Sequence, residues 1–330
     1  RLLGSASPAV LRLVRASDDS LLKLLPGEWF HSHDRLRRFI ACVAERGERR
    51  WILALVAADP DSIDALHLLH AVCRGGHAEA ARMLLRVGAD VHLRDSEGAV
   101  ALYLAARCDS AACVEALLEA DADVEGCSSV AARGALRPLA AAATGNCAAA
   151  CGVLLAARAD PGSLGGAGPA SPEPLALAAG AGAEEVLRLL LASSASVNAD
   201  AGTVVAPPLH EAVRKGHLAC ASVLLEAGAN VNVYGASSGE AALHLACRGG
   251  RLPLTELLLA HRAEVNAVSD RGQTPLGLAF QASQRSRPAR ASFRAMREAL
   301  VAAGAELGDY NPTLYSGGAP KERPPKNLGQ

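Results

Sequence analysis

Aromatic residues make up only 3% of the 330 positions, and there are two methionines. A core with so few large side chains must be built from Ala, Leu and Val, which suits short helices packed closely together. Charge of one sign is also missing. Thirty-three basic residues face 34 acidic ones, for a formal net charge of −1. That balance argues against a general nucleic-acid binder, which would carry a net basic surface. No apolar run approaches the roughly 20 residues of a membrane span. None of the nine cysteines stands in a C-x-x-C pair, so no zinc-finger spacing is present. Cys108, Cys113, Cys147 and Cys151 fall on helical stretches and read as small packing residues. Free buried thiols point to a reducing, intracellular setting, cytoplasmic or nuclear.

What is present is self-similarity. The segments "PLHEAVRKGHLACASVLLEAGANVN", from Pro208, and "ALHLACRGGRLPLTELLLAHRAEVN", from Ala242, align without a gap. A key leucine recurs at Leu69, Leu102, Leu139, Leu175, Leu209, Leu243 and Leu276, with spacings of 33, 37, 36, 34, 34 and 33 residues. One unit, 204–237, shows the logic. Pro207 and Pro208 open an inner helix, where a missing N–H is harmless. Leu209, Ala212 and Val213 form its apolar face, and Gly216 ends it. Val223, Leu224 and Leu225 supply the apolar face of an outer helix that closes at Gly228. One such pair cannot bury its own apolar surface, so neighbours must stack against it.

The period and these motifs resemble the ankyrin-repeat family over about residues 64–308. The family's "TPLH" opening stands as "TPLG" at 274–277, "PPLH" at 207–210 and "AALH" at 241–244. It decays to "RPLA" at 137–140 and "EPLA" at 173–176, with a Gly-rich run between, so a looser joint is expected around 161–172. The resemblance implies an all-α solenoid of helix-turn-helix units with hairpin loops. Seven repeats are expected at 64–96, 97–133, 134–169, 170–203, 204–237, 238–270 and 271–308. A degenerate capping repeat over 35–63, keyed on Ile40, precedes them, and residues 1–34 form an unassigned helical segment. The last repeat carries about nine extra residues, predicting a protruding basic loop near 282–292 with Arg285, Arg287 and Arg290. Residues 309–330 read as a disordered tail.

Catalytic chemistry finds no foothold. Only residues 1–60 and 309–330 remain for any further domain, too little for a catalytic one, so the chain reads as a non-enzyme without cofactor. His70, His210 and His244 share one repeat position. The resemblance implies that each bonds to backbone between units, and a spacing near 10 Å is too wide for shared metal ligation. "HSHD" at 31–34 lacks a third ligand and reads as a surface loop. "GSLGGAG" at 162–168 lacks the Lys-Ser/Thr of a phosphate-binding loop and reads as a linker.

Lining up the units gives a sharper signal. Five residues after each key leucine stand Arg74, Arg107, Thr144, Gly180, Arg214, Arg248 and Gln281. In ankyrin arrays this position faces the concave groove, so Arg74, Arg107, Arg214 and Arg248, reinforced by Lys215, are candidate partner-binding residues. Basic side chains also suit helix C-termini for the sake of the dipole. The expected partner is another protein, through an acidic or phosphorylated segment. Hairpin tips at 95–97 and 234–237 are the alternative surface. The resemblance further implies that Asn198, Asn232 and Asn266 can be hydroxylated by an oxygen-dependent asparaginyl hydroxylase, although Asn also simply suits the tight turn. A second functional reading is the substrate-recognition subunit of a cullin-type ubiquitin ligase, bound to elongins and a cullin. The expanded last repeat is similar to that of ankyrin proteins ending in a SOCS box, but no "LPLPP"-type segment follows Asp309.

Overall fold

The computed structural model describes residues 67–306 except 96, 127, 131–133, 164, 166–171, 199–205, 236–237 and 286–288, together with Ala44, Gly47 and Ile52. The segments 1–34 and 309–330 lie outside the described residues. So does 35–63 apart from those three positions. The chain divides into two compact units, Arg1–Pro169 and Ala170–Gln330, with the division inside the Gly-rich stretch.

In the first unit, α1 (Leu68–Arg74) pairs with α2 (Ala78–Arg86), α3 (Ala101–Arg107) with α4 (Ala111–Glu119), and α5 (Pro138–Gly145) with α6 (Ala148–Ala156). In the second, α7 (Pro174–Ala181) pairs with α8 (Glu184–Ala192) and α9 (Pro208–Lys215) with α10 (Leu218–Glu226). There α11 (Ala242–Arg248) pairs with α12 (Leu252–Ala260) and α13 (Pro275–Arg285) with α14 (Ala289–Ala302). Within each unit the odd-numbered inner helices stack on one another, and so do the outer ones. The architecture is an all-α repeat solenoid.

Small side chains permit the close inner stack. Ala140, Ala141, Ala142 and Ala143 of α5 are all buried, and similar alanines line α7. The outer helices supply bulk. Fifteen residues after the key leucines, Leu84, Leu117, Leu154, Leu190, Leu224 and Leu258 are each 0% exposed. Burying one such side chain is worth about 1.5–3 kcal/mol.

Two reversals per unit recur at fixed register. Seven residues after the key leucine, Gly76, Asp109, Asn146, Gly182, Gly216 and Gly250 all take positive φ, between 53° and 95°. Gly47 has the same register relative to Ile40 and a φ of 67°. A Cβ on Gly47 would lie 2.4 Å from the His77 ring, so only glycine fits there. Nineteen residues after the key leucine the outer helix ends the same way, at Gly88, Asp121, Arg158, Ser194, Gly228 and Arg262. Three of these are neither glycine, Asn nor Asp and hold the left-handed conformation against steric preference.

The irregular spacings have structural homes. The extra residues between Leu102 and Leu139 lengthen a hairpin into an antiparallel pair, β1 (Ser128–Val130) with β2 (Gly134–Leu136). The insert of the last repeat behaves differently from expectation. Residues 282–285 continue α13, which has eleven residues where α11 has seven, and 289–292 open α14, which has fourteen where α12 has nine. The expected protruding loop is therefore replaced by longer helices over these residues. "QASQR" contains no breaker and "ARAS" follows directly after Pro288, so helix propensity absorbs the added length.

Candidate functional site

The shared histidines act as ties. The Nε2–H of His70 donates to the carbonyls of Leu93 (2.9 Å) and Ala99 (3.2 Å), that of His210 to Val233 (2.9 Å), and that of His244 to Ala267 (3.1 Å) and Gln273 (3.0 Å). Each thus joins an inner helix to the hairpin that leads into the following unit. Burial lowers the pKa of all three, that of His210 to about 4. Among the described residues no group of three His, Cys, Asp or Glu could hold a metal ion.

The asparagines form a second set of ties. Asn198 Oδ1 accepts the backbone N–H of Asn230 at 2.8 Å, Asn232 that of Glu264 at 2.8 Å, and Asn266 that of Glu306 at 3.0 Å. Asn232 and Asn266 also donate forward, to the carbonyls of Arg262 and Gly304. These bonds give asparagine a structural role at this position. Sequence comparison missed that Glu125 does the same work: its Oε1 accepts the N–H of Asp160 at 2.8 Å, while Oε2 holds Arg137. Its register, 23 residues after Leu102, was the available signal.

The candidate groove arginines lie at the ends of their inner helices, and all four are exposed. Three of them are not bare charges. Arg74 lies 3.7 Å from Asp95, whose side chain is 8% exposed and whose Oδ1 also accepts the N–H groups of Glu97 and Ala99. Asp95, expected at a free hairpin tip, is instead turned inward to hold the turn. Arg214 forks onto Glu211, with Nε to Oε1 at 3.2 Å and Nη2 to Oε2. Arg248 Nη1 reaches both carboxylate oxygens of Glu240 at 2.7 Å. Arg107 and Lys215 are exposed and form no ion pair among the described residues. The C-terminal unit adds a cation that the register did not reveal: Arg251 Nη1 donates to the carbonyl of Val213. Burial first, and then the charge of Arg214, lowers its pKa. Thr144 caps back to the Ala141 carbonyl at 2.9 Å and is exposed, and Gly180 is half-buried.

Among the hairpin tips, Tyr234 is 41% exposed and donates its hydroxyl to Glu264 at 3.0 Å. Val268, one repeat on, is 54% exposed. The cysteines divide. Cys113, Cys147 and Cys151 are buried as expected, whereas Cys108 caps α3 and is exposed, a correction that follows from its place one residue beyond the last helical turn. Burial raises Cys151 and Cys247 to about 12, which leaves both inert as thiolates. Among the described residues no helix is long and apolar enough to cross a membrane.

The profile of ankyrin repeats in three copies matches residues 39–126 and 139–235, and that of ankyrin repeats in many copies matches 234–279. The chain belongs to the ankyrin-repeat family. The first match takes in the segment keyed on Ile40. Of solved structures, the human ASB11 ankyrin repeat domain is similar at 25% identity and a TM-score of 0.60, covering 72% of this chain and 98% of that one. The ankyrin repeat domain of Bcl-3, a member of the IkappaB protein family, is similar at 25% identity and a TM-score of 0.53, covering 68% and 97%. No curated protein matches the sequence. Ankyrin repeat domains generally mediate protein–protein interaction, and the fold is typically non-catalytic.

Proposed function

We propose that this ankyrin protein is an intracellular, non-enzymatic scaffold that binds an acidic or phosphorylated segment of another protein. The inner-helix ends of its C-terminal unit form the contact surface. The observation that carries this reading is the concentration of Arg214, Lys215, Arg248 and Arg251 on adjacent helix pairs, where among the described residues Glu211 and Glu240 are the carboxylates paired with them. Glu240 is 5% exposed at its side chain and spent on Arg248, so the outward face stays positive. Guanidinium groups held in place by their own ion pairs keep free N–H edges for a carboxylate or phosphate. Arg74 and Arg107 offer a second, smaller patch in the N-terminal unit.

Affinity capture from cell lysate tests the reading. Arg214→Glu with Arg248→Glu should weaken capture of the principal partner by more than about tenfold, since each reversal turns an attraction into a like-charge juxtaposition. Undiminished capture by a folded double variant would move recognition to the hairpin tips around Tyr234 and Val268.

The lengthened α13 and α14 favour a second reading, the substrate-recognition subunit of a cullin-type ligase. Recovery of elongins and a cullin in the same capture would support it. Their absence from a capture that recovers other partners would remove it.

A further inference from the structure

Two residues after each key leucine, six of the seven units carry an apolar side chain: Ala71, Leu104, Ala141, Leu177, Leu245 and Leu278. The seventh carries Glu211. The first turn of α9 favours a carboxylate through the helix dipole, but the dipole alone would leave its oxygens to water. Instead both oxygens face Arg214, one turn on. The Glu211 side chain is 19% exposed and that of Arg214 48%, so the pair is covered on the carboxylate side and open on the guanidinium side. In the preceding unit, the place that holds Arg74 or Arg107 elsewhere is Gly180. A Cβ there would lie 3.4 Å from Glu211 Oε2, so the carboxylate packs against the bare backbone of Gly180, where a larger side chain would press on it.

A two-point Arg–carboxylate fork is the geometry an incoming carboxylate or phosphate would itself adopt. We propose that Glu211 is a built-in competitor for the fork of Arg214, so that this site takes a phosphoserine or phosphothreonine of a partner segment in preference to Asp or Glu. The inference rests on the acidic-segment reading above and deepens it. An incoming carboxylate exchanges one ion pair for an equivalent one, and the tethered Glu211 has the advantage of high effective concentration. A phosphate carries a charge of about −1.5 to −2 and three acceptor oxygens. It can hold Arg214 while also reaching Lys215, which no carboxylate of the described chain engages.

Fluorescence anisotropy with two labelled decapeptides, identical except for phosphoserine or Glu at the centre, tests this on the full chain. Wild type should bind the phosphoserine probe at least about fivefold more tightly. Glu211→Gln should tighten the Glu probe by about three- to fivefold and so narrow the preference, the effect expected of releasing one ion pair. Glu256→Gln, the same charge change at an exposed position of α12, should leave both affinities unmoved. Adding Arg214→Ala to Glu211→Gln should erase the gain, with the melting temperature monitored throughout. Equal tightening by Glu211→Gln and Glu256→Gln would reduce the effect to net charge and overturn the proposal. If the Arg214→Ala, Glu211→Gln double variant weakens the probes but Glu211→Gln alone changes nothing, the acidic-segment reading stands and the competitor falls. If no variant binds either probe, both fall.

Discussion

The repeats at 204–270 and those at 97–169 bury equivalent leucines equally well, yet they are tied to the next unit by different chemistry. Leu117, Leu154, Leu224 and Leu258 are all 0% exposed. At the hairpins, however, the 204–270 pair uses His210, His244, Asn232 and Asn266, all bonded to backbone beyond their own helices. In 97–169 the histidine position holds Tyr103 and Ala140, and the asparagine position holds Glu125 and Gly162. At these positions, among the described residues, Glu125 alone replaces the lost tie, while Asp109 Oδ1 accepts the N–H of Ala150 elsewhere along the same repeats. Period and packing are thus shared properties of the array, whereas the polar ties are local additions that individual units keep or lose.

The largest effect should fall on the shared property. Truncating Leu224 or Leu154 to Ala should each cost about 2–5 kcal/mol, with no systematic difference between the two regions. Hydrogen exchange should show loosening centred on the altered repeat and its neighbours, because solenoid contacts are local. Uniform loosening of every repeat would contradict that, and a consistently smaller cost at Leu154 would show that the irregular repeats are loosely packed as well as weakly tied.

Acid should separate the regions. His210, at about 4 in the folded chain, titrates near 6.5 once unfolded. Its pKa is depressed by folding, so its contribution is fully present above about 6.5 and is lost as pH falls through 6.5 toward 4. Over that window the loss amounts to about 3 kcal/mol. Denaturant midpoints should therefore fall steeply between these limits, and His210→Gln should flatten the slope. Exchange in acid should rise first in 204–270 rather than in 97–169, whose sequence contains no histidine.

The repeats, their helix pairs and even the left-handed reversals were legible from sequence because a 33-residue period repeats the same steric demand. The substitutes at each tie were not. Glu125 resembles Asn232 in neither size nor charge, and only its register betrays a shared role. The arginine register was legible too, but Arg74 and Arg248 find carboxylates in hairpins 21 residues ahead and eight residues behind, at Asp95 and Glu240, where no helical spacing rule applies. Glu211, three residues before Arg214, follows such a rule and could have been paired with it from sequence. The length of the last repeat was equally visible, but extra residues without a breaker extend helices as readily as they form a loop.

A moderate effect tests the ties one by one. Asn232→Ala removes an acceptor for the Glu264 N–H and should cost about 1 kcal/mol, the usual net worth of such a bond. Glu125→Ala should cost somewhat more, because it also strips the carboxylate from Arg137, whose Nε is already buried without a partner. Equilibrium unfolding of the two variants would measure the difference. A negligible cost at Glu125 would mean that the irregular region holds together without its hairpin tie, by packing and the Asp109–Ala150 bond.

The smallest effect concerns the reversals that end the outer helices. Arg158 in the irregular region and Arg262 in the regular one hold φ of 65° and 63°, where their neighbours in register at Gly88 and Gly228 are glycine. A side chain in this conformation costs roughly 1–2 kcal/mol, while a glycine costs about 0.5–1 kcal/mol in extra chain entropy when the protein folds. The difference leaves a gain of about 0.5 kcal/mol for either Arg158→Gly or Arg262→Gly. Both side chains are free of ion pairs with the described carboxylates, but Arg262 also presents its carbonyl to Asn232 Nδ2, a backbone contact that glycine retains. The two gains should therefore match, and thermal unfolding of each variant can read them. If Arg262→Gly instead destabilises while Arg158→Gly does not, the arginine stem is packing against its regular neighbours, and the regular region owes part of its cohesion to side chains on its outer edge as well as to the His and Asn ties.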